Sequence, residues 1–171
     1  MTMSKRTKQC IGILFAIVAY YITHEGAHFV MALMFHAFKK INFMWLGIQV
    51  DVYRDRLTDI QLGVFCIAGA TATLIMGYLL VGLKDKICQI KSKLIKAILY
   101  YITIIMLILD PVYLCLLSGC FGGGDLNGIL YLMPQAYVWT IFGLLLIFNI
   151  WLLIKKVTPT YTKAFQSEEA N

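Results

Sequence analysis

The sequence predicts an all-α polytopic membrane protein with about four transmembrane helices and a small β-hairpin after the first span. Three observations predict this fold class. The 171-residue chain is 60% hydrophobic and has a mean hydropathy of +0.77, whereas soluble domains are about 45–50% apolar. Its apolar residues form long runs, and a helix needs about 20 such residues to cross a bilayer. Polar segments rich in lysine, arginine or glycine separate the runs.

The first apolar run covers about residues 10–38 and follows a short basic segment. That segment also resembles the start of a signal peptide, but no small-residue cleavage site follows the run. We therefore expect a retained span. Residues 1–9 are then a cytoplasmic N-terminus, residues 10–154 form one membrane-embedded domain, and residues 155–171 form a polar C-terminal tail.

A β-hairpin is predicted after the first span, over residues 41–53. Residues 48–52 alternate apolar and polar side chains, which is typical of a strand, and Gly47 offers a turn before them. A strand with an unpaired edge can add an extended peptide through main-chain hydrogen bonds. The hairpin is thus expected to present a peptide beside the first span. A hairpin that only caps the membrane surface is the alternative.

Three more apolar runs follow, at about residues 61–83, 94–118 and 131–154. A glycine-rich segment at 119–125 separates the last two, because consecutive glycines are poor helix formers. The run at 61–83 contains small residues that let helices approach closely in lipid. These residues are Ala68, Gly69, Ala72 and Gly77.

The basic residues predict the orientation of the spans. The chain carries 15 Lys and Arg against 9 Asp and Glu. Eleven of the 15 lie in the N-terminus, the second loop and the C-terminus, so the positive-inside rule places both termini in the cytoplasm. These residues cluster at span ends, where they contact lipid headgroups. No interleaved aromatic and basic surface indicates a nucleic-acid partner.

The first span contains the motif HExxH at His24, Glu25 and His28. On a helix the two histidines lie one turn apart on the same face, where they can bind one Zn²⁺. Glu25 lies beside them and can act as a base on water rather than as a ligand. Each ionisable residue near the bilayer centre costs about 2.5–3.5 kcal/mol, and a bound metal compensates for that cost.

A third zinc ligand must come from elsewhere, because catalytic zinc usually takes three protein ligands and leaves one position for water. Two carboxylates lie in or near the membrane, Asp110 and Asp125. His36 is a weaker candidate, since it lies eight residues beyond His28 and near the end of the span.

These features resemble the site-2 protease family of membrane zinc proteases, which places HExxH in one core span. That family has a small-residue helix of the type Ala-Gly-Pro-x-Ala-Asn. Residues 68–73 read Ala-Gly-Ala-Thr-Ala-Thr, which keeps the Ala-Gly and lacks the Pro and Asn. The family also tends to carry a β-hairpin after the HExxH span. The resemblance covers roughly residues 10–135, and only HExxH is specific by itself.

The same resemblance implies an aspartate ligand, which the family supplies from a Leu-Asp-Gly motif in a later span. Residues 125–130, Asp-Leu-Asn-Gly-Ile-Leu, are similar to the Asp-Gly-Gly-Arg-Ile-Leu run of the family. The rival Leu109-Asp110-Pro111 has proline where glycine is expected. Asp125 also lies at a glycine-rich break, where backbone can approach a metal closely. Asp125 is therefore the favoured ligand and Asp110 the alternative.

The resemblance implies an intramembrane zinc metalloprotease that hydrolyses peptide bonds in or near a membrane-spanning segment of another protein. Zn²⁺ is its expected cofactor, and its expected partners are a membrane-protein substrate and the lipid bilayer. The expected site residues are the base Glu25 and the ligands His24, His28 and Asp125. Two alternatives stay open. One is another membrane zinc hydrolase, such as a prenyl-protein or signal-type protease, and the other is a non-catalytic membrane scaffold or accessory protein.

Overall fold

The computed structural model describes residues 4–44, 47–120 and 124–167. Its elements, in chain order, are α1 (Lys5–Met34), β1 (Phe38–Met44), β2 (Gly47–Val52), α2 (Asp59–Gly82), α3 (Lys84–Cys88), α4 (Lys93–Val112), α5 (Gly124–Ile129), α6 (Gln135–Leu152) and α7 (Thr158–Ser167). Within these described residues, four helical segments are long and apolar enough to cross a membrane, and they begin with α1, α2, α4 and α6. The predicted fold class is confirmed.

The outer surfaces of these four helices are strongly apolar. Leu14 of α1, Ile75 of α2 and Leu144 of α6 are each more than half exposed. A soluble monomer rarely exposes contiguous apolar surface on this scale. Lipid is the solvent that suits it, and the backbone polar groups are satisfied inside the helices, as a bilayer requires.

Side-chain caps determine where three of the long helices begin. Ser4 accepts a hydrogen bond from an N–H in the first turn of α1, and Ser92 does the same for α4. Thr58 and Gln61 form a reciprocal capping box at the start of α2. Because these caps precede the apolar runs, α1 begins before residue 10 and α2 before residue 61.

The first helix ends earlier than the apolar run predicts. α1 stops at Met34, and His36 follows with a φ of 52°. Phe38 already lies in β1, where it pairs with Val52. The apolar run therefore covers both the last turn of a helix and the first residue of a strand, which hydrophobicity alone does not separate. His36 lies in the turn and not on the helix.

β1 and β2 form the predicted antiparallel hairpin, with Ile41 opposite Val50 and Phe43 opposite Ile48. Gly47, where the sequence predicts a turn, is the first residue of β2, and residues 45–46 before it lie outside the described residues. Within the described part of the chain β2 pairs with β1 alone. β2 also contacts α1.

The segment from residue 155 onward, predicted as a polar tail, is helical as far as Ser167. A π-helical turn, Leu153–Val157, joins α6 to α7, and the helix continues to Ser167. Val157 and Tyr161 are buried in a cluster with Ile87 of α3 and Leu107 of α4. The few apolar residues of this segment recur on one face, so α7 packs against the bundle although its overall composition is polar.

Candidate metal centre

His24 and His28 lie together on the inner face of α1. Both side chains are buried, and their Nε2 atoms are 3.1 Å apart. The i, i+4 spacing on an α-helix brings them together, so this part of the site is a local property of the sequence.

Asp125 reaches the same point from α5. Its Oδ2 lies 3.1 Å from Nε2 of His24 and 3.3 Å from Nε2 of His28. Ligand atoms at about 2.0–2.1 Å from a tetrahedral ion are about 3.3–3.4 Å from each other. The triangle of two imidazole nitrogens and one carboxylate oxygen therefore has the size and the chemistry of a zinc site with one open position.

The ionisation of Asp125 suits a ligand. Burial by itself would raise the pKa of this carboxyl group, but hydrogen bonds and charge from His24 and His28 outweigh burial and hold the pKa below its usual range. Asp125 is therefore an anion, the form that coordinates a cation.

Asp110 lies behind the histidines instead of among their Nε2 atoms. Its Oδ1 is 3.2 Å from Nδ1 of His24 and accepts a hydrogen bond of 2.6 Å from the hydroxyl of Tyr20. Its Oδ2 accepts a hydrogen bond from the hydroxyl of Thr73. A carboxylate in this position orients a metal-binding histidine by holding the nitrogen that faces away from the ion.

His28 is oriented in a similar way by a backbone group. Its Nδ1 is 2.8 Å from the carbonyl oxygen of Phe65 in α2. Because a carbonyl oxygen only accepts hydrogen bonds, Nδ1 of His28 carries the proton and donates it to Phe65. Nε2, the nitrogen on the side of Asp125, is then the one available to bind a metal ion.

Glu25 lies beside the histidines but is held by the hairpin. Its Oε2 accepts a hydrogen bond of 2.9 Å from the backbone N–H of Val50 in β2. One ligand atom of Glu25 lies within 4.8 Å of those of His24 and His28. The carboxylate is thus close enough to reach a water at the site while its direction is set by β2.

Gly69 gives the histidines their space. A Cβ built on Gly69 would lie 2.6 Å from Nε2 of both His24 and His28. A glycine at this position lets α2 pack against the point where the three ligand atoms meet. The sequence indicates Gly69 as a small residue for helix packing and as part of the Ala-Gly pair at 68–69, but it does not indicate that Gly69 makes room for the histidines.

Glycines also position Asp125. Gly124 has a φ of +35°, a conformation that L side chains rarely adopt. Gly128 packs directly against Cys66 of α2, where a side chain would collide with the thiol. The short helix α5 can therefore lie close enough to α2 to bring Asp125 to the histidines.

A cavity of about 570 Å³ opens over this site. Its walls come from α1, β2, α4 and the start of α5, and they include Glu25, Val50, Leu109 and Tyr113. This volume is typical of a ligand-binding cleft. The cavity is mainly apolar, and its polar groups converge on the histidine pair.

The structure brings together four of the predicted residues, His24, Glu25, His28 and Asp125. Asp110 instead contacts Nδ1 of His24. His36 is separated from them because it lies in the turn beyond α1, where its carbonyl oxygen accepts a 3.4 Å hydrogen bond from Arg56. Sequence reasoning did not anticipate the contributions of Tyr20, Thr73 and Phe65. A hydroxyl on a transmembrane helix or a single backbone carbonyl carries no recognisable motif.

Comparisons of the chain with models of known protein families, with curated proteins and with solved structures gave no match. The function of the chain is therefore inferred from the site itself. The site consists of the buried His24 and His28 and the half-buried Asp125, with the carboxylate of Glu25 beside them, inside a bundle of apolar helices.

Proposed function

We propose that this protein is an intramembrane zinc metalloprotease that hydrolyses peptide bonds in or near a membrane-spanning segment of another protein. The proposal depends on one observation: Nε2 of His24, Nε2 of His28 and Oδ2 of Asp125 all lie within 3.3 Å of one another. Glu25 beside this triangle completes the set that a hydrolytic zinc site needs. The resemblance to the site-2 protease family supports the same function.

The residues present fit a zinc ion. His24, His28 and Asp125 would hold it, and Asp110 and the carbonyl of Phe65 would keep the two imidazoles in the orientation that binding requires. When bound, zinc would lower the pKa of a water molecule to about 7 and polarise the carbonyl of the scissile bond.

Glu25 is the proposed general base. It is half-buried and lies within the cluster formed with the two histidines. It would take a proton from the attacking water and later deliver that proton to the leaving amine. The hydrogen bond from Val50 holds one oxygen of the carboxylate, which leaves the other oxygen available for the proton.

The proposed substrate is an unwound segment of a membrane protein. A helix hides its carbonyl groups in hydrogen bonds, so a bound segment must be extended to expose its scissile bond. The cavity over the site is bordered by β2, whose edge away from β1 carries the N–H of Val50. An extended segment that adds to this edge would recover main-chain hydrogen bonds inside the membrane.

We also propose that both termini face the cytoplasm. α7 packs against α3 and α4, so the C-terminal helix lies at the same end of the bundle as the loop before α4. That loop and the two termini carry most of the basic residues. The positive-inside rule assigns this end to the cytoplasm.

Elemental analysis of the purified protein tests the proposal directly. We expect about one zinc per chain, because three ligand atoms converge on one point, and loss of zinc in His24→Ala. A second arm measures cleavage of single-span reporter proteins in proteoliposomes, with and without a chelator. Wild-type protein that binds no zinc, or that binds iron instead, would contradict the proposed chemistry.

A non-catalytic scaffold is the second candidate function, and one observation favours it. Among the described residues, Glu25 is the only carboxylate in position to act as a base, and its Oε2 accepts a hydrogen bond from the N–H of Val50. In a scaffold that contact would be purely structural. Equal cellular phenotypes for the wild type and Glu25→Gln would favour the scaffold over the protease.

A further inference from the structure

Asn149 is a polar residue on the buried face of α6. Its side chain is fully buried, while its neighbours Phe148 and Ile150 are 47% and 42% exposed on the outer face of the helix. Burying an amide away from water costs free energy unless the amide is hydrogen-bonded. The partners of Asn149 therefore indicate what this residue does inside the bundle.

Both ends of the Asn149 amide are hydrogen-bonded. Its Nδ2 donates a hydrogen bond of 2.7 Å to the backbone carbonyl oxygen of Leu107 in α4. Its Oδ1 accepts a hydrogen bond of 2.7 Å from the hydroxyl of Tyr78 in α2. Because a carbonyl oxygen only accepts, the contact with Leu107 fixes which end of the amide faces α4. Asn149 thus links α6 to two other membrane-crossing helices.

The carbonyl of Leu107 needs a partner from outside its own helix. In a regular α-helix this carbonyl would accept a hydrogen bond from the N–H of residue 111. That residue is Pro111, and proline has no N–H. Leu107 is fully buried, where an unpaired carbonyl would destabilise the fold. Nδ2 of Asn149 therefore supplies the donor that Pro111 lacks.

Asp110 lies in the turn of α4 that this contact completes, between Leu107 and Pro111. Its carboxylate contacts three side chains on α1 and α2, those of Tyr20, His24 and Thr73. All three contacts depend on the position of one carboxylate. A change in the course of α4 at Pro111 would therefore move Asp110 relative to His24.

We propose that Asn149 is a positioning residue for the metal centre. By donating to the carbonyl that Pro111 leaves unpaired, Asn149 holds this turn of α4 in the arrangement in which Asp110 orients His24. The last membrane-crossing helix thereby acts on the site, although no residue of Gln135–Leu152 lines the cavity over the histidines. This inference rests on the proposed metal site.

A double-variant cycle in the full-length protein tests this role. Asn149→Leu roughly keeps the side-chain volume but removes the donor. The folded variant should bind zinc about tenfold more weakly, the lower end of the loss expected when a ligand loses its orienting partner. In Pro111→Ala, residue 111 regains an N–H that can bond to the carbonyl of Leu107. Adding Asn149→Leu to Pro111→Ala should then change zinc affinity by about twofold at most.

Tyr78→Phe is the matched control. It removes the other hydrogen bond of the same amide and leaves the donor to Leu107 in place. Its zinc affinity should stay within about twofold of the wild-type value. Cobalt(II) at a saturating concentration gives a second readout, because its visible absorption depends on the geometry of its ligands. The absorption bands should shift in Asn149→Leu and not in Tyr78→Phe.

The unfolding midpoint of each variant is measured in parallel and separates positioning from general stabilisation. A lower midpoint with unchanged zinc affinity and cobalt spectrum would show that Asn149 only holds the helices together, which would overturn the inference. An equal loss of zinc affinity from Asn149→Leu with and without Pro111→Ala would also overturn it, since the effect would not depend on the carbonyl of Leu107. Wild-type protein that binds neither metal would overturn the proposed metal site and this inference together.

Discussion

The backbone N–H of Val50 donates a hydrogen bond of 2.9 Å to Oε2 of Glu25. This contact joins the middle of β2 to the residue beside the histidine pair. Alternate residues of a strand direct their N–H groups to opposite edges, so Ile48 and Val52 share the outer edge with Val50. If a substrate peptide adds to this edge, as we propose, its middle would lie beside Glu25, the proposed base.

Glu25→Gln tests the role of the carboxylate. Glutamine keeps the shape of the side chain and an oxygen that can accept from Val50, but it cannot take a proton. We expect zinc content near the wild-type value and cleavage lower by about 10²–10⁴-fold. Elemental analysis beside a cleavage assay checks both. Loss of zinc in this variant would show that Glu25 is a ligand rather than a base.

Asp125→Ala and Asp110→Asn separate a ligand from an orienting residue. Asp125→Ala removes one corner of the triangle, so zinc and activity should both be lost. Asp110→Asn keeps a side chain beside His24 but weakens its hold on the ring, so zinc affinity should fall by about 10–100-fold without complete loss. Zinc titration of both variants makes the comparison. The reverse order would transfer the ligand role to Asp110.

Gly69→Ala tests whether the space beside the histidines is needed. The added Cβ would lie 2.6 Å from both Nε2 atoms, so one ring must move. Alanine stabilises a helix by about 1 kcal/mol relative to glycine. A loss of helix stability therefore cannot explain a loss of zinc affinity in this variant. We expect zinc affinity to fall on the order of 10–100-fold, as when a ligand loses its orientation.

Gly143→Ala is the matched control for Gly69→Ala. Gly143 also lies within a long apolar helix, α6, and a Cβ there would meet no atom within 4 Å. Its zinc affinity and activity should equal those of the wild type. If Gly69→Ala binds zinc as tightly as Gly143→Ala, the histidines do not meet the metal where their Nε2 atoms now lie.

Two proline variants test whether the edge of β2 presents the substrate. Proline removes the N–H of the residue it replaces. Ile48→Pro removes an edge N–H that does not contact Glu25, so cleavage of a transmembrane reporter should fall several-fold more than cleavage of a short extended peptide. Val50→Pro also releases Glu25, so both substrates should be cut more slowly.

Zinc content is the control for both proline variants, since neither replaces a ligand. It should stay near the wild-type value in each. Wild-type rates on both substrates for Ile48→Pro and Val50→Pro would show that the strand takes no part in presentation. The hairpin would then only cap the membrane surface.

Both termini are expected to lie on the cytoplasmic side, because four membrane-crossing helices return the chain to the side where it began. Ser4→Cys and Ser167→Cys place a thiol at each end of the described chain. A membrane-impermeant maleimide should label neither introduced thiol in intact cells and both after permeabilisation. Labelling of either one from outside would contradict the four-span topology.

The sequence by itself determined the features that depend on near neighbours in the chain. Apolar runs longer than a bilayer core predicted four membrane-crossing helices, and alternation over residues 48–52 predicted the strand of the hairpin. The pairing of His24 with His28 follows from one turn of helix. Each of these features needs only the local periodicity of a helix or strand, which is written in the order of the residues.

Tertiary structure alone decided which distant groups meet those histidines. The sequence favours Asp125 and leaves Asp110 as an alternative, and only the packing of α5 on α2 through Gly128 places Asp125 at both Nε2 atoms. Asp110 instead faces Nδ1 of His24 from α4. The same holds for the contact between Val50 and Glu25. Such distances depend on how closely helices and strands approach, and that approach is set by side-chain volumes on several elements together.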